Sequence, residues 1–236
     1  MTPNHSVVLE SAAVTIEAAD SGTAAKTILQ PTSVALTEQR IAIIGANGSG
    51  KSTLLRLLNG LVLPSTGTVR INGLDTRTQG SAVRRTVGFV FTDPLSQLVM
   101  PTPVEDVELS LRRLKLSKRD RRSKAREILA GYGLDGVAEH SIYELSGGER
   151  QLAALASVLA VEPAIVVLDE PSTLLDLRNT RLLKERLATL PQQVIMATHD
   201  LSLAAGCGRV LVVNDAAVVF DGEPGAAIAH YTALAG

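Results

Sequence analysis

The sequence predicts an α/β fold with a parallel sheet, a helical insertion and an N-terminal antiparallel β portion. Short apolar runs alternate with helical segments along the chain, an order that is typical of parallel sheets packed between helices. One of these runs leads directly into a glycine-rich turn, as in strand–loop–helix units that bind phosphate. The stretch 92–160 differs from its surroundings, because prolines punctuate its start and helix formers dominate the rest.

The spacing of apolar residues assigns most individual elements. The predicted strands are Val7–Leu9, Ala12–Ile16, Arg40–Ile44, Gly67–Asn72, Thr86–Phe91, Ala164–Leu168, Val194–Ala197 and a terminal hairpin of Val210–Asn214 with Ala217–Asp221. The predicted helical segments are Ser52–Leu58, Val104–Gly131, Thr180–Leu190, Leu201–Ala205 and a short C-terminal helix, and a polar loop is predicted around Asp20–Lys26. We expect a single domain (1–236), with a core formed by 1–91 and 161–236 and an inserted helical lobe at 92–160.

The composition is that of a globular protein without a nucleic-acid partner. Hydrophobic residues make up 45% of the 236 residues, and the formal net charge is −1. A charge this close to neutral argues against a polyanion as the main partner. Aromatic residues make up only 3%, which argues against surfaces that stack bases.

The sequence lacks the features of export and membrane insertion. Its start carries Glu10, Glu17 and Asp20 in place of a basic region followed by an apolar one. No apolar run approaches the ~18–20 residues that span a bilayer. The single cysteine, Cys207, fits a reducing compartment and is most simply a small buried residue. We therefore expect a cytoplasmic protein, with any membrane span supplied by another chain.

Nine of the 23 Lys and Arg residues fall between Arg112 and Arg126. A run of this kind is usually the solvated face of a helix. The alternative is a surface that lies near anionic lipid headgroups, which attract each nearby cation by about 1 kcal/mol.

A phosphate-binding loop is predicted between the strand Arg40–Ile44 and the following helix. The segment matches the pattern G-x-x-x-x-G-K-[ST] in the required strand–loop–helix context. Its glycines let successive backbone N–H groups wrap a phosphate. Lys51 provides a positive charge for the β- and γ-phosphates, and the Ser52 hydroxyl is a ligand for Mg²⁺. The loop consists of Gly45, Ala46, Asn47, Gly48, Ser49, Gly50, Lys51, Ser52 and Thr53.

Two carboxylates end a strand that is apolar throughout, as expected when both faces are covered. Asp169 and Glu170 follow Ile165–Leu168, and the upstream phosphate loop favours a functional role over an ordinary solvated loop start. Asp169 is predicted to hold Mg²⁺ through water, and Glu170 to act as the general base. His199 follows another strand and is predicted to contact the γ-phosphate, although a lone His in such a place is more often structural.

The segment LSGGERQ at Leu145–Gln151 predicts a second anion site at a helix start. Ser146 and Glu149 have the S-x-x-E spacing of a capping box. Gly147 and Gly148 leave backbone N–H groups accessible to a phosphate, where the helix dipole favours negative charge. An isolated S-x-x-E is usually an ordinary cap, but the complete heptad together with the phosphate loop favours anion binding.

The motifs and their order resemble those of ABC ATPase domains. After the phosphate loop and LSGGERQ come the strand ending in Asp169 and Glu170, the segment Pro171–Asp176, and the pair Thr198 and His199. The resemblance covers essentially the whole chain. It implies a P-loop NTPase fold with a RecA-like core, with ATP and Mg²⁺ as cofactors.

The same resemblance implies a head-to-tail dimer of ATPase subunits. ATP would lie between the phosphate loop of one subunit and Ser146–Glu149 of the other, with Asp176 touching across the interface. Since Glu170, His199 and the LSGGERQ segment are all intact, two identical copies would form two competent sites. A homodimer is therefore favoured, and a paralogous partner stays open.

Three positions depart from the family pattern. Thr92 occupies the place of a Gln that reaches Mg²⁺ or the attacking water. Because Thr is shorter and would need a bridging water, we expect lower basal turnover without its loss. Ile16 occupies the place of an adenine-stacking Tyr, which predicts weaker ATP binding, since stacking contributes about 1–3 kcal/mol per base. The segment Thr173–Asp176 keeps its acid and changes only mildly.

The stretch Phe91–Val107, FTDPLSQLVMPTPVEDV, is similar to a pattern of energy-coupling factor (ECF) ATPases. These ATPases drive vitamin and transition-metal importers. The resemblance implies that an integral membrane coupling subunit docks near Asp93–Val107, with Asp93, Glu105 and Asp106 positioned to pair with its Arg side chains. The alternative is a proline-bounded helix start with acids in its first turn.

The ECF resemblance also implies a separate substrate-binding membrane subunit and a peripheral location on the inner face of the membrane. The stretch resembles the biotin-uptake ATPases in particular, while cobalt, nickel and other vitamins stay open. Other functions are an ABC ATPase of another transporter type, a non-transport ABC ATPase such as a cofactor-assembly factor, and a regulatory or scaffolding nucleotide binder. The single ATPase unit, with 94 residues between Lys51 and Ser146, argues against DNA-repair and translational members.

Overall fold

The described part of this computed structural model, residues 6–16 and 25–235, contains ten strands and eight α-helices. The strands are β1 (Val7–Ile16), β2 (Lys26–Leu36), β3 (Arg40–Ile44), β4 (Thr66–Ile71), β5 (Leu74–Asp75), β6 (Val87–Val90), β7 (Ile165–Asp169), β8 (Gln193–Ala197), β9 (Arg209–Asn214) and β10 (Ala217–Gly222). The helices are α1 (Lys51–Leu58), α2 (Gly80–Thr86), α3 (Pro103–Ser110), α4 (Lys118–Gly131), α5 (Gly147–Leu159), α6 (Leu177–Thr189), α7 (Leu201–Ala205) and α8 (Pro224–Ala235).

A six-stranded sheet has the order β10-β9-β3-β8-β7-β6. All its neighbouring pairs are parallel except β9 with β10, which form the predicted hairpin. Alternate residues of the central strands face opposite layers. Ile43 and Val167 pack with α1 and the N-terminal sheet, whereas Ile44 and Leu168 pack with α6 and α7. Burial on both faces explains why these strands are apolar without alternation, and the predicted parallel sheet is confirmed.

The N-terminal antiparallel sheet has the order β2-β1-β4-β5. The two strands predicted at Val7–Leu9 and Ala12–Ile16 form one continuous β1 with a bulge, where Ser11 has φ 48° and its N–H donates to Ser33 Oγ at 2.8 Å. Strand β2 was not predicted, because few of its side chains are buried and Pro31 interrupts its pattern. Lys26 begins β2, and most of the loop predicted around Asp20–Lys26 lies outside the described residues.

The helical part of the chain has its own apolar cluster. Its buried members run from Leu98 to Ala156 and come from α3, α4, α5 and the connecting segments. The predicted helical stretch Val104–Gly131 is divided: α3 ends at Ser110, and α4 begins after Ser117, whose side chain caps it by accepting from the Asp120 N–H at 3.1 Å. The lobe boundaries at 92–160 stay a prediction.

The basic run between Arg112 and Arg126 lies largely on the exposed face of α4. Arg122 pairs with Glu108 and Glu139, and Arg126 also pairs with Glu139. Exposed pairs of this kind contribute little to stability, about 0–1 kcal/mol each. The lipid-facing alternative for this run stays a prediction.

Cys207 is buried, as predicted, and burial raises the pKa of its thiol to about 11. Among the residues that the structure describes, we find no helix with both the length and the apolar character needed to cross a membrane.

Gly88 offers a test of the packing between the sheet and α5. A Cβ at this position in β6 would lie 2.5 Å from Val158 Cγ1 and 2.9 Å from Pro163 Cγ. We expect Gly88→Ala to lower the free energy of unfolding by about 1–3 kcal/mol, since overpacking shifts both elements. Gly131→Ala is the matched control, because a Cβ there meets no atom within 4 Å. Urea denaturation measures both, and equal midpoints for the two variants would contradict this account.

Candidate active site

The phosphate loop lies between β3 and α1, which confirms the predicted strand–loop–helix. Its first residue, Gly45, lies directly against β9. A Cβ at Gly45 would lie 2.1 Å from the carbonyl oxygen of Val213, so only glycine fits this close approach. The loop is thereby held at the end of β3, where the strands of the six-stranded sheet open onto solvent.

Lys51 extends back over the loop from the first turn of α1. Its Nζ donates to the carbonyl oxygens of Gly45 at 2.8 Å and Ala46 at 3.0 Å, and lies 4.0 Å from Glu170 Oε1. Burial lowers the pKa of Lys51, and the nearby carboxylates of Glu170 and Asp169 oppose that shift. The ammonium therefore lies at the loop, next to the acids that end β7.

Ser52 and Asp169 form the predicted metal pair. The Ser52 hydroxyl donates to Asp169 Oδ1 at 2.9 Å, and Asp169 is only 1% exposed at the end of β7. Oxygen donors of this kind suit Mg²⁺, which keeps waters and phosphate oxygens in its remaining positions. No group of three or more His, Cys, Asp or Glu side chains that could hold a metal occurs among the described residues. The two residues thus fit a metal that is completed by a bound phosphate.

Glu170 and His199 come together at the same edge of the sheet. Glu170 has the left-handed φ of 53°, and its N–H donates to Ala197 O at 3.0 Å. Its Oε2 accepts from the His199 N–H at 3.1 Å, while His199 Nε2 lies 3.1 Å from Oε1. A non-glycine residue in this region carries strain of about 1–3 kcal/mol, and such strain clusters at functional sites. Their roles as general base and γ-phosphate contact stay predictions.

The predicted capping box at the start of α5 is confirmed. The Ser146 hydroxyl accepts from the Glu149 N–H, and the Glu149 carboxylate accepts from the Ser146 N–H. Asp176 caps α6 in the same manner by accepting from the Asn179 N–H at 2.7 Å. Ser146 and Asp176 are both exposed, which leaves them available to a partner, although the contact predicted for Asp176 is untested.

Thr92 and Ile16 lie at the periphery of the site formed by the phosphate loop, Asp169 and Glu170. Thr92 is half-buried two residues beyond Val90, which pairs with Leu168 of β7, so it lies at the same sheet edge as Asp169. Ile16 ends β1 and is 57% exposed. The structure does not test the adenine contact predicted for Ile16 or the Mg²⁺ and water contacts predicted for Thr92.

Gln97 belongs to the ECF-like pattern, but no role was predicted for it. Its Oε1 accepts from the Phe91 N–H at 3.1 Å, and its Nε2 donates to the Ala154 carbonyl oxygen at 2.9 Å. Gln97 therefore holds the turn that contains Thr92 against α5. Its match to the pattern was the only feature of the sequence that could have indicated this.

The expectation that Asp93, Glu105 and Asp106 all offer free carboxylates is wrong for Asp106. Asp106 is 4% exposed, and its Oδ1 accepts from the N–H groups of Val99 and Met100 at 2.9 and 3.2 Å. Glu105 accepts from the Thr102 hydroxyl, and Asp93 caps a short 3₁₀ turn. These acids stabilise helix starts and turns of their own chain, as the alternative interpretation had it.

The comparison with known families settles the class of protein. The profile of the ABC transporter family matches residues 30–173, a range that contains the phosphate loop, LSGGERQ and Glu170. The chain belongs to this family. Its phosphate loop is therefore an ATP site with Mg²⁺ as the metal, and the chain is an ATP hydrolase.

Several relatives of this ABC ATPase are similar over most of their length. A putative ABC transporter ATP-binding protein of Bartonella quintana is 47% identical over 86% of this chain and 90% of its own. The biotin transport ATP-binding protein BioM of Rhizobium etli is 42% identical over 94% and 99%. The energy-coupling factor transporter ATP-binding protein EcfA1 of Halalkalibacterium halodurans is 36% identical over 78% and 68%.

Solved structures confirm the P-loop NTPase fold. The dimeric post-hydrolysis state of the ATP-binding cassette MJ0796, bound to ADP and Pi, superposes with a TM-score of 0.85 at 28% identity, covering 92% of this chain and 98% of that one. CbiO1 of Clostridium perfringens, part of the ABC transporter complex cbiONQ, has a TM-score of 0.78 at 26% identity, covering 97% and 92%.

The Thr92 position yields a direct test. We expect Thr92→Gln to raise basal ATP turnover by about 2- to 30-fold, because a direct amide contact removes a bridging water whose immobilisation costs up to about 2 kcal/mol. Thr92→Val keeps the shape but removes the hydroxyl, so its turnover should fall. Steady-state ATPase assays measure both, and a Thr92→Gln rate equal to that of the unmodified chain would disprove the role of Thr92.

Proposed function

We propose that this ABC ATPase powers an importer of the ECF type, working as a head-to-tail dimer with Glu170 as the general base. The observation that carries hydrolysis is the convergence of Lys51, the Ser52–Asp169 pair and the Glu170–His199 pair at one sheet edge. Each of these groups comes from one chain, so every copy carries a complete half-site.

The chemistry follows from the positions of these groups. The loop N–H groups and Lys51 would hold the β- and γ-phosphates, and Ser52 and Asp169 would hold Mg²⁺, which would supply positive charge to the phosphates. The Glu170 carboxylate lies 4.0 Å from Lys51 Nζ and would take a proton from the attacking water. His199 fixes the Glu170 carboxylate through two contacts of 3.1 Å and would contact the γ-phosphate.

A second copy of the chain completes each site. The start of α5 carries two glycines and the exposed Ser146, and a helix N-terminus attracts an anion through its free N–H groups and its dipole. The similar cassette MJ0796 is dimeric in its ADP- and Pi-bound state, which supports this arrangement. Because LSGGERQ, Glu170 and His199 are intact in the same chain, we favour a homodimer.

A groove of about 380 Å³ supports docking of a membrane subunit. It lies between β6, α3 and α5, and its lining includes Phe89, Asp106, Leu109 and Val158. Val99 lies in this lining and is 69% exposed. The groove includes part of the ECF-like stretch, and CbiO1, a structural neighbour, is part of a transporter complex. An integral coupling subunit inserted here would hold the ATPase on the inner face of the membrane.

Biotin is the first candidate for the transported solute, since BioM of Rhizobium etli is similar over nearly the whole chain. Cobalt, nickel and other vitamins come next, because a separate membrane subunit selects the solute. The similarity to EcfA1 supports the ECF type.

The shared site predicts an ATP-dependent dimer. We expect Glu170→Gln to lower hydrolysis at least about 100-fold, since the general base is lost, while ATP converts the variant from monomer to dimer. Light scattering after gel filtration measures the mass with and without ATP–Mg²⁺. Lys51→Ala is the control and should stay monomeric, because it loses the phosphate contact. A Glu170→Gln variant that stays monomeric in saturating ATP would refute the head-to-tail dimer.

Docking in the groove predicts co-purifying integral membrane proteins. We expect the tagged chain, isolated from detergent-solubilised membranes, to bring such proteins with it. Val99→Asp should abolish this association without changing basal ATPase, because a charge replaces an exposed apolar contact in the groove. Val219→Asp, on β10 and 43% exposed, is the matched control and should retain the partners. If mass spectrometry finds no integral protein with the unmodified chain, the importer proposal is wrong.

A further inference from the structure

The N-terminus of α5 uses part of its hydrogen-bonding capacity internally. Glu149 Oε2 accepts from the Ser146 N–H at 2.8 Å and from the Ser146 hydroxyl at 2.7 Å. The Glu149 N–H in turn donates to Ser146 Oγ. Within the described residues, the N–H groups of Gly147 and Gly148 donate no hydrogen bond, as expected for the first turn of a helix. Gly147 is half-buried and keeps a backbone donor for an anion, whereas Gly148 is buried. The Ser146 hydroxyl proton is held by a carboxylate.

We propose that Glu149 competes with the γ-phosphate of ATP for the Ser146 hydroxyl and opposes that phosphate by its charge, so that Glu149 sets how readily ATP closes the dimer. This inference rests on the proposed head-to-tail dimer. Glu149 belongs to the predicted ATP-binding segment Ser146–Glu149, and its ionised carboxylate accepts hydrogen bonds but offers none to a phosphate.

The carboxylate is charged and forms no salt bridge among the described residues, and His140 is the nearby basic side chain that favours its ionised form. Hydrogen bonds from the Ser146 side chain and backbone lower the pKa of Glu149, so it is ionised at neutral pH. The adjacent Arg150 does not pair with it, since its guanidinium donates to the carbonyl oxygens of Ile142 and Tyr143. A phosphate that approaches the N-terminus of α5 therefore meets a full negative charge on the third residue of the helix.

Closing the dimer then requires an exchange at Ser146. The hydroxyl breaks its bond to Glu149 Oε2 and donates to a phosphate oxygen. The carboxylate keeps only the Ser146 N–H. Loss of phosphate reverses the exchange, because the hydroxyl returns to an acceptor 2.7 Å away. Glu149 therefore weakens the closed state and favours reopening.

Glu149→Gln tests the charge of the Glu149 side chain separately from its role in the helix cap. The Gln amide oxygen can accept the same bonds from the Ser146 N–H and hydroxyl, which preserves the cap, but it carries no charge. Glu162→Gln is the matched control, since it removes one exposed acid just beyond the opposite end of α5. Both variants should unfold at the same temperature as the unmodified chain.

The experiment measures dimerisation against ATP concentration in the Glu170→Gln background. We expect Glu149→Gln to lower the ATP concentration at half-dimerisation by about 5- to 50-fold, the effect of removing one like charge near a phosphate. This decrease in the ATP concentration at half-dimerisation should become smaller as the salt concentration is raised. Glu162→Gln should leave that ATP concentration unchanged. In the active chain, Glu149→Gln should lower KM for ATP without raising kcat, because reopening slows.

Ser146→Ala distinguishes the two effects of Glu149, its competition for the Ser146 hydroxyl and its charge repulsion of the phosphate. In the Ser146→Ala background, Glu149→Gln should give a smaller gain, since no hydroxyl remains to be released. If Glu170→Gln dimerises with ATP but the Glu149→Gln midpoint is unchanged or higher, the inference about Glu149 is wrong while the shared site stands. If Glu170→Gln never dimerises, the shared site fails and the role of Glu149 with it.

Discussion

Asp169 of β7 lies opposite Ala197 of β8, which in turn lies opposite Ile43 of β3. This register among three parallel strands fixes where Asp169, Glu170 and the phosphate loop lie relative to one another. All three strands end at one edge of the sheet, so the residues that follow them meet there, as is general in open α/β sheets. The register is fixed by apolar side chains buried on both faces. The same framework holds Glu170 in its left-handed conformation, which an unsupported loop would relax.

Three side-chain donors of the site already have acceptors within their own chain. Lys51 donates to loop carbonyl oxygens, the Ser52 hydroxyl to Asp169, and the Ser146 hydroxyl to Glu149. Nucleotide binding at these groups is therefore an exchange of hydrogen bonds, and the net gain per bond is small, about 0.5–1.5 kcal/mol. A site built in this way closes only when many exchanges occur together, which suits an enzyme that must reopen after each hydrolysis.

The helical part of the chain contacts the core through apolar side chains of α5 and through two specific polar links. Gln97 holds the turn after β6 against α5. At the end of α4, the Tyr132 ring lies 4.6 Å from the guanidinium of Arg186 on α6, a favourable cation–π geometry. Gln97 also lines the proposed docking groove. A membrane subunit in the groove would therefore contact the segment that also carries Thr92.

The sequence by itself determined the fold class, the phosphate loop, the order of the motifs and the capping box, because each depends on local spacing along the chain. Only the tertiary structure decided which polar groups face solvent and which face their own chain. Asp106 and Asp93 look alike in the sequence, yet packing buries one and exposes the other. The pairing of β2 and the bulge that joins the halves of β1 also depend on neighbouring strands. Spacing records which side chains share a face, whereas burial and hydrogen-bond partners depend on distant elements.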